Sequence, residues 1–169
     1  MLAQVSCRSI VALVAAIAGC TADKPALTDA AADGPPCSPF ADQLVAFTQG
    51  TGGPSMEGAA ALGAPDGDLV SVGPDASLTV SFVGAGAVSD GVDFDIQVHG
   101  NATADVAAVA YVSEDGTEFR FAGDLTSDAL LVDLATASVS RAQAFRVIGV
   151  AGELALDAVE AIGLDCSAL

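Results

Sequence analysis

The chain has 169 residues, of which 22 are acidic and five basic, for a formal charge of −17 at pH 7. A polyanion would be repelled by such a protein, which sets nucleic acid aside as a partner. Apolar residues make up 52% and aromatic residues only 5%, so the composition is not that of a disordered chain, and the core is expected to be small aliphatic side chains on strands.

Residues 1–9 carry one positive charge, Arg8, and residues 10–19 form an unbroken small or apolar run that stops at Cys20. This is the layout of a cleavable signal peptide. Ten residues at about 1.5 Å each cross only half of a ~30 Å hydrocarbon core, so the run is too short to anchor the chain by itself. Ile17, Ala18, Gly19 and Cys20 resemble the lipobox of bacterial lipoproteins. The resemblance implies cleavage before Cys20 and a diacylglycerol on its thiol, making membrane lipid a partner. Two or three acyl chains hold stably where a single one does not. Thr21 stands where some bacteria use Asp to retain lipoproteins at the inner membrane, so an outer-membrane or cell-surface location is expected.

Residues 21–36 are rich in Ala, Asp, Pro and Gly and nearly devoid of large apolar side chains, the composition of a flexible tether. The expected organisation is a signal peptide over 1–19, lipidated Cys20 and tether over 20–36, and one domain over 37–169, an ordinary size for a single core. Of the four cysteines, Cys7 leaves with the leader and Cys20 is taken by lipid. Cys37 and Cys166 remain, and export to an oxidising compartment predicts a disulfide between them. That bond requires the two ends of the domain to meet.

Within the domain, short apolar runs recur between clusters of Gly, Pro, Asp and Ser, which predicts strands near 44–48, 69–72, 77–82 and 92–98. Further strands are expected near 106–113, 119–121, 130–134, 144–150 and 158–164. Leu78, Val80 and Phe82 alternate with polar residues, and Val92, Phe94, Ile96 and Val98 repeat the pattern, as a half-buried strand requires. Glu114 to Thr117 reads as a hairpin turn, because Gly116 accepts the positive φ such turns use. The fold class expected is all-β, a β-sandwich or jelly roll. Residues 112–116 with Phe119, 144–148 and 156–162 resemble the closing half of discoidin-type, galactose-binding-like jelly rolls. Residues 45–53, 61–67 and 90–94 are similar to bacterial cell-surface proteins of the same expected fold.

Two acidic groups are candidate cation sites. Asp93 and Asp95 lie two apart on a predicted strand with Asp90 in the turn before them, and clustered oxygens of this kind suit Ca²⁺. The galactose-binding-like resemblance implies a second structural calcium, between Asp66 and Asp68 in an early loop and Asp157 and Glu160 on a late strand. Strand alternation sets His99 on the outer face with Asp93, Asp95 and Gln97. Tyr111 is expected in the core or at its rim, and Arg146 resembles a strand arginine that pairs with acids of the discoidin-type fold. No GxSxG or HExxH motif is present, so no catalytic residue is assigned. The function expected is a ligand-binding or adhesive module at the cell surface, with an envelope glycan or protein as partner. A purely structural envelope lipoprotein is the alternative, and a hydrolase stands behind both.

Overall fold

The structure is a computed structural model that describes residues 38–50, 57–82, 87–88 and 94–162. The expectations for the leader, Cys20, the tether, Cys37, Cys166, Asp90 and Asp93 concern residues outside these ranges. Among the described residues no helix is long and apolar enough to cross a membrane.

Eleven strands form among the described residues: β1 Gln43–Thr48, β2 Val70–Val72, β3 Ser77–Ser81, β4 Ala87–Val88, β5 Ile96–Ala102 and β6 Ala108–Ser113, followed by β7 Arg120–Leu125, β8 Leu131–Val132, β9 Arg141–Ala142, β10 Ala144–Gly149 and β11 Leu154–Ala161. They pair antiparallel into a five-stranded sheet ordered β1-β3-β10-β6-β7, a four-stranded sheet ordered β2-β11-β5-β8 and the small ribbon β4-β9. The chain is thus an all-β sandwich, held by two short 3-10 turns at Gly58–Ala61 and Leu134–Ala137. No strand exceeds eight residues, so each side of the core is assembled row by row from partners distant in sequence.

The register shows why alternation in the sequence becomes a core. Leu44, Val80, Phe145 and Val112 stand side by side across the five-stranded sheet, and Phe47, Leu78, Val147 and Ala110 form the next row. From the other sheet Val70, Val72, Ile96, Val98, Leu154, Leu156 and Val159 close over them, all essentially without exposure. Most of these side chains are Ala, Val or Leu, and Phe145 is the largest among those fully buried. The two sheets approach closely at one point, where a Cβ on Gly149 would fall on the carbonyl oxygen of Gly73. Only a hydrogen fits there.

Several strands depart from what simple alternation predicts. In β11 the register slips between Leu156 and Ala158, so Asp157 is the extra residue of a bulge and the inward set changes from Leu154 and Leu156 to Val159 and Ala161. A bulge shifts the phase of alternation, which is why the sequence pattern places this strand at 158–164 and the structure at Leu154–Ala161. In β7 a similar slip opposite Ala110 and Tyr111 carries the strand on to Leu125, past Gly123 and Asp124, where the expectation stops at 121. The run over 130–134 yields only two strand residues, because Asp133 accepts the N–H of Ala135 at 2.8 Å and turns the chain into the second 3-10 turn.

The beginning and end of the described domain lie together. Ala41 N–H donates to the Val159 carbonyl at 2.8 Å, Ala161 N–H donates to the Pro39 carbonyl at 2.7 Å, and Phe40 bridges Glu160 antiparallel. Residues 39–41 therefore add a short strand along the second half of β11. The ladder brings Ser38 and Ile162 to neighbouring positions, which is the adjacency a terminal disulfide needs.

Candidate functional site

The loop carrying Asp66 and Asp68 does meet the strand carrying Asp157. It meets it with N–H groups. Asp66 N–H donates to Asp157 Oδ1 at 3.1 Å, and Gly67 N–H lies 3.3 Å from both Asp157 carboxylate oxygens. Asp66 turns its own Oδ1 back to accept the N–H of Asp68 at 2.9 Å. Backbone donors thus supply the positive charge density that a calcium would otherwise bring to Asp157. Glu160 faces elsewhere, with its Oε2 2.7 Å from His99 Nε2. Among the described residues no group of three His, Cys, Asp or Glu is placed to hold a metal ion, so these residues do not fit the calcium implied by resemblance. Excess chelator at fixed ionic strength is accordingly expected to leave the melting temperature unchanged. A drop that calcium restores would reinstate the ion.

Asp95 corrects a second expectation. Alternation sets it on the solvated outer face beside Asp93, His99 and Gln97, yet it is 0% exposed. The strand begins only at Ile96, and Phe94, expected inside, is 44% exposed. Asp95 N–H donates to the Val132 carbonyl, its own carbonyl accepts from Ile162 N–H, and its Oδ2 accepts from Leu134 N–H at 2.9 Å. One residue thus links β5, β8, the second 3-10 turn and the end of β11. A buried carboxylate held in this way is a structural group.

His99 is on the outer face as expected, partly exposed, with its ring N–H directed at Glu160 and the Phe40 ring tilted 6.0 Å away. The cluster pins residues 39–41 to β5 and β11. Tyr111 sits at the rim, edge-on to the half-exposed Phe121 ring at 6.0 Å. Arg146 stacks 3.7 Å from the Phe119 ring centre, and its Nε donates to Thr79 Oγ1 at 3.0 Å. The guanidinium therefore ties β10 to β3 and to the loop before β7 through a hydroxyl and an aromatic ring, where the resemblance implies acids.

The feature that residue-by-residue reading misses is a recess of about 380 Å³ at one end of the five-stranded sheet. Gln43, Ser81, Ala144 and Ser113 form the last outward row of that sheet. Gln43, Ser81, Phe82, Gln143 and the Gly116 turn line the recess, with Val45 as one wall. Val45 is there because β1 slips register between Leu44 and Ala46. The slip makes it the extra residue of a bulge and leaves it 53% exposed. Bulges commonly re-aim a side chain beside a site. The signal in the sequence is slight, an apolar residue out of phase in a short strand.

The recess is built on bonded backbone. Gln143 N–H donates to the Ser113 carbonyl at 2.8 Å, and its carbonyl accepts from Phe82 N–H at 3.0 Å. Ser81 Oγ donates to Gln43 Oε1 at 3.1 Å. The roof is the turn between β6 and β7, where Gly116 takes φ 77° as expected. Asp115 fixes this turn: its Oδ1 accepts from Glu118 N–H at 3.0 Å, Thr117 N–H at 2.8 Å and Ser113 Oγ at 3.0 Å. These donors, the Glu118 N–H foremost, hold the Asp115 carboxyl well below the usual carboxylate range. A depressed folded-state value means that the bonds stabilise fully above the unfolded value of about 4 and are lost as pH falls below it. Asp115→Ala is expected to lower the melting temperature at pH 7 and to flatten its fall between pH 4 and pH 2, read by thermal melts across that range.

Compared with protein-family models, curated proteins and solved structures, the chain matches none. What fold and site define is a class: an antiparallel β-sandwich with a recess at one sheet end, in which none of the described lining residues is ionisable.

Proposed function

We propose that this protein is an exported lipoprotein, anchored through lipid on Cys20, whose β-sandwich serves as a ligand-binding module at the cell envelope. The single observation that carries binding is the recess bounded by Gln43 and Ser81 at strand ends and by Gln143 in the bend between β9 and β10. A few convergent polar groups on a rigid frame are the usual anatomy of a small-ligand site. The anchor rests on the apolar run ending at Ile17 to Cys20 and on its resemblance to a lipobox. The resemblance to discoidin-type and bacterial cell-surface jelly rolls agrees with the antiparallel sandwich, and an outer-membrane or surface location follows from the same reading.

Mass spectrometry of the protein purified from a membrane fraction tests the anchor: an N-terminal peptide starting at diacylated Cys20 is expected. An unmodified thiol there would remove it. Binding is tested by thermal shift against envelope glycans, lipid headgroups and small solutes, and a uniformly blank result would leave the second reading. That reading, a structural envelope lipoprotein, draws on the half-exposed Phe121 beside Tyr111 and predicts reproducible crosslinks from this face to one envelope component. Neither reading involves turnover. A reaction abolished by changing one carboxylate would overturn both in favour of a hydrolase.

A further inference from the structure

We infer that the outer face of the five-stranded sheet docks a protein segment presenting one carboxylate between apolar side chains, on a partner of neutral or positive net charge. The proposal deepens the second reading above, contact with an envelope component, and rests on it. Pairing across the sheet sets Thr79, Arg146, Tyr111 and Phe121 in one row, on β3, β10, β6 and β7. Phe119 lies against Arg146 from the loop before β7, and Ile148 and Val109, both half-buried, continue the face in the next row. The chain has seven Phe, one Tyr and no Trp, and three of these aromatic residues meet here around the Arg146 guanidinium. Aromatic residues and Arg are the types enriched where proteins meet. Phe121 is 48% exposed, and its ring stands edge-on to Tyr111. Each ring holds the other in place before a partner arrives, so little side-chain freedom is left to lose on docking.

Arg146 selects the charge of the group it meets. Its Nε donates to the hydroxyl of Thr79, which is 2% exposed, and its guanidinium carbon lies 3.7 Å from the Phe119 ring centre. These contacts fix the guanidinium plane and use one of the five N–H groups such a side chain carries, leaving the terminal pairs that grip a carboxylate through two parallel hydrogen bonds. The charge of the whole chain sets the rest. At −17 the protein repels an acidic partner or an anionic membrane at long range and draws a neutral or basic protein, while Arg146 takes up the carboxylate at short range. Asp124, exposed beside Val109 on β7, favours a positive group on the partner near that carboxylate. A two-fold contact centred on this face would set Arg146 against its own copy, between two chains of charge −17, which disfavours a second copy. The partner lies on the face of the sheet and not along its edge, because the β6–β7 register slips between Ala110 and Tyr111 and a bulged edge strand is a poor template for another strand.

The probes are short synthetic peptides, neutral or basic overall, that carry one Glu between two aromatic or aliphatic residues, with matched peptides in which Gln replaces Glu. They are titrated into the intact purified protein and followed by amide chemical shifts and calorimetry. The Glu peptides are expected to shift residues 109, 111, 121 and 146, to bind roughly tenfold more tightly than the Gln peptides, and to weaken as salt is raised. Arg146→Lys keeps the charge but loses the paired geometry and should remove most of the preference for Glu. Phe121→Ser changes a half-exposed ring and should weaken the Glu peptides roughly fivefold with the melting temperature unchanged, which guards against a fold effect at Arg146. Equal affinity for Glu and Gln peptides, or no shift at these residues, would overturn the proposed chemistry. Self-association through this face in sedimentation would replace the partner with a second copy, and binding of phosphatidylglycerol vesicles through it would replace the partner with a membrane. A photo-crosslinker at position 121 of the full-length protein in cells separates the two levels. Crosslinks to one envelope component without any peptide preference would leave the second reading standing and remove the carboxylate; an absence of crosslinks together with silent peptides would remove both.

Discussion

We propose a bond between Cys37 and Cys166, and its loss is expected to lower the unfolding free energy by about 2–5 kcal/mol, at the upper end because the enclosed loop would be nearly the whole domain. The structural support is the short ladder at the two ends of the domain. Phe40 bridges Glu160, and Ala41 and Ala161 donate across the pair, so the strand entering the sandwich lies against the strand leaving it. Cys37 is one residue before Ser38 and Cys166 four residues after Ile162, a span an extended chain covers easily at about 3.3 Å per residue. The bond would also protect the tether junction. Without it, residues 39–41 are held by three backbone hydrogen bonds and the Phe40, His99 and Glu160 contacts, a short chain end of the kind that frays readily. Urea unfolding of the mature protein with and without reductant, alongside Cys37→Ser/Cys166→Ser, measures the effect. The reduced and doubly substituted forms should coincide, and non-reducing peptide mapping should show the two cysteines linked. Two free thiols in the exported protein would remove the bond.

Phe145→Ala is expected to cost about 3–5 kcal/mol, the range for deleting a buried aromatic ring. Phe145 stands between Val80 and Val112 in the central row of the five-stranded sheet and is 1% exposed. Its surroundings are Ala, Val and Leu on fixed strands, with few long side chains able to swing into the space. The cavity should therefore stay open, which sets the cost near the top of the range. Phe145→Leu keeps much of the volume and should cost markedly less. Equilibrium unfolding of the two variants decides this, and equal losses would mean the ring's shape matters more than its volume. Since Ala144 and Gln143 line the recess just before Phe145 in the chain, the Ala variant should also loosen the recess.

Much of the sandwich was readable without coordinates because alternation is a local property. Leu78 and Val80 in β3, and Phe145 and Val147 in β10, point inward as their two-residue period requires. The Glu114 to Thr117 turn was readable for the same reason: Gly116 supplies the left-handed conformation, and Asp115 bonds its own backbone two and three residues on. Where period and structure disagree, a bulge or strand end intervenes. Asp157 breaks the phase of β11, and Asp95 falls one residue before β5 begins, so both carboxylates came to rest in environments that alternation does not describe.

The sequence alone determined the acidic charge, the all-β class and the main strands, because each depends on composition or on spacing within a few residues. It expected a cation between Asp66 and Asp157, where the structure has backbone N–H groups of the loop donating to Asp157. Only the tertiary structure decided that Asp95 is buried, that Arg146 rests on Phe119 and Thr79, and that Gln43, Ser81 and Gln143 share one recess. Those outcomes depend on strand order. β1, β3 and β10 are far apart in the chain, and only their pairing in one sheet brings Gln43, Ser81 and Gln143, the residue before β10, to the same edge.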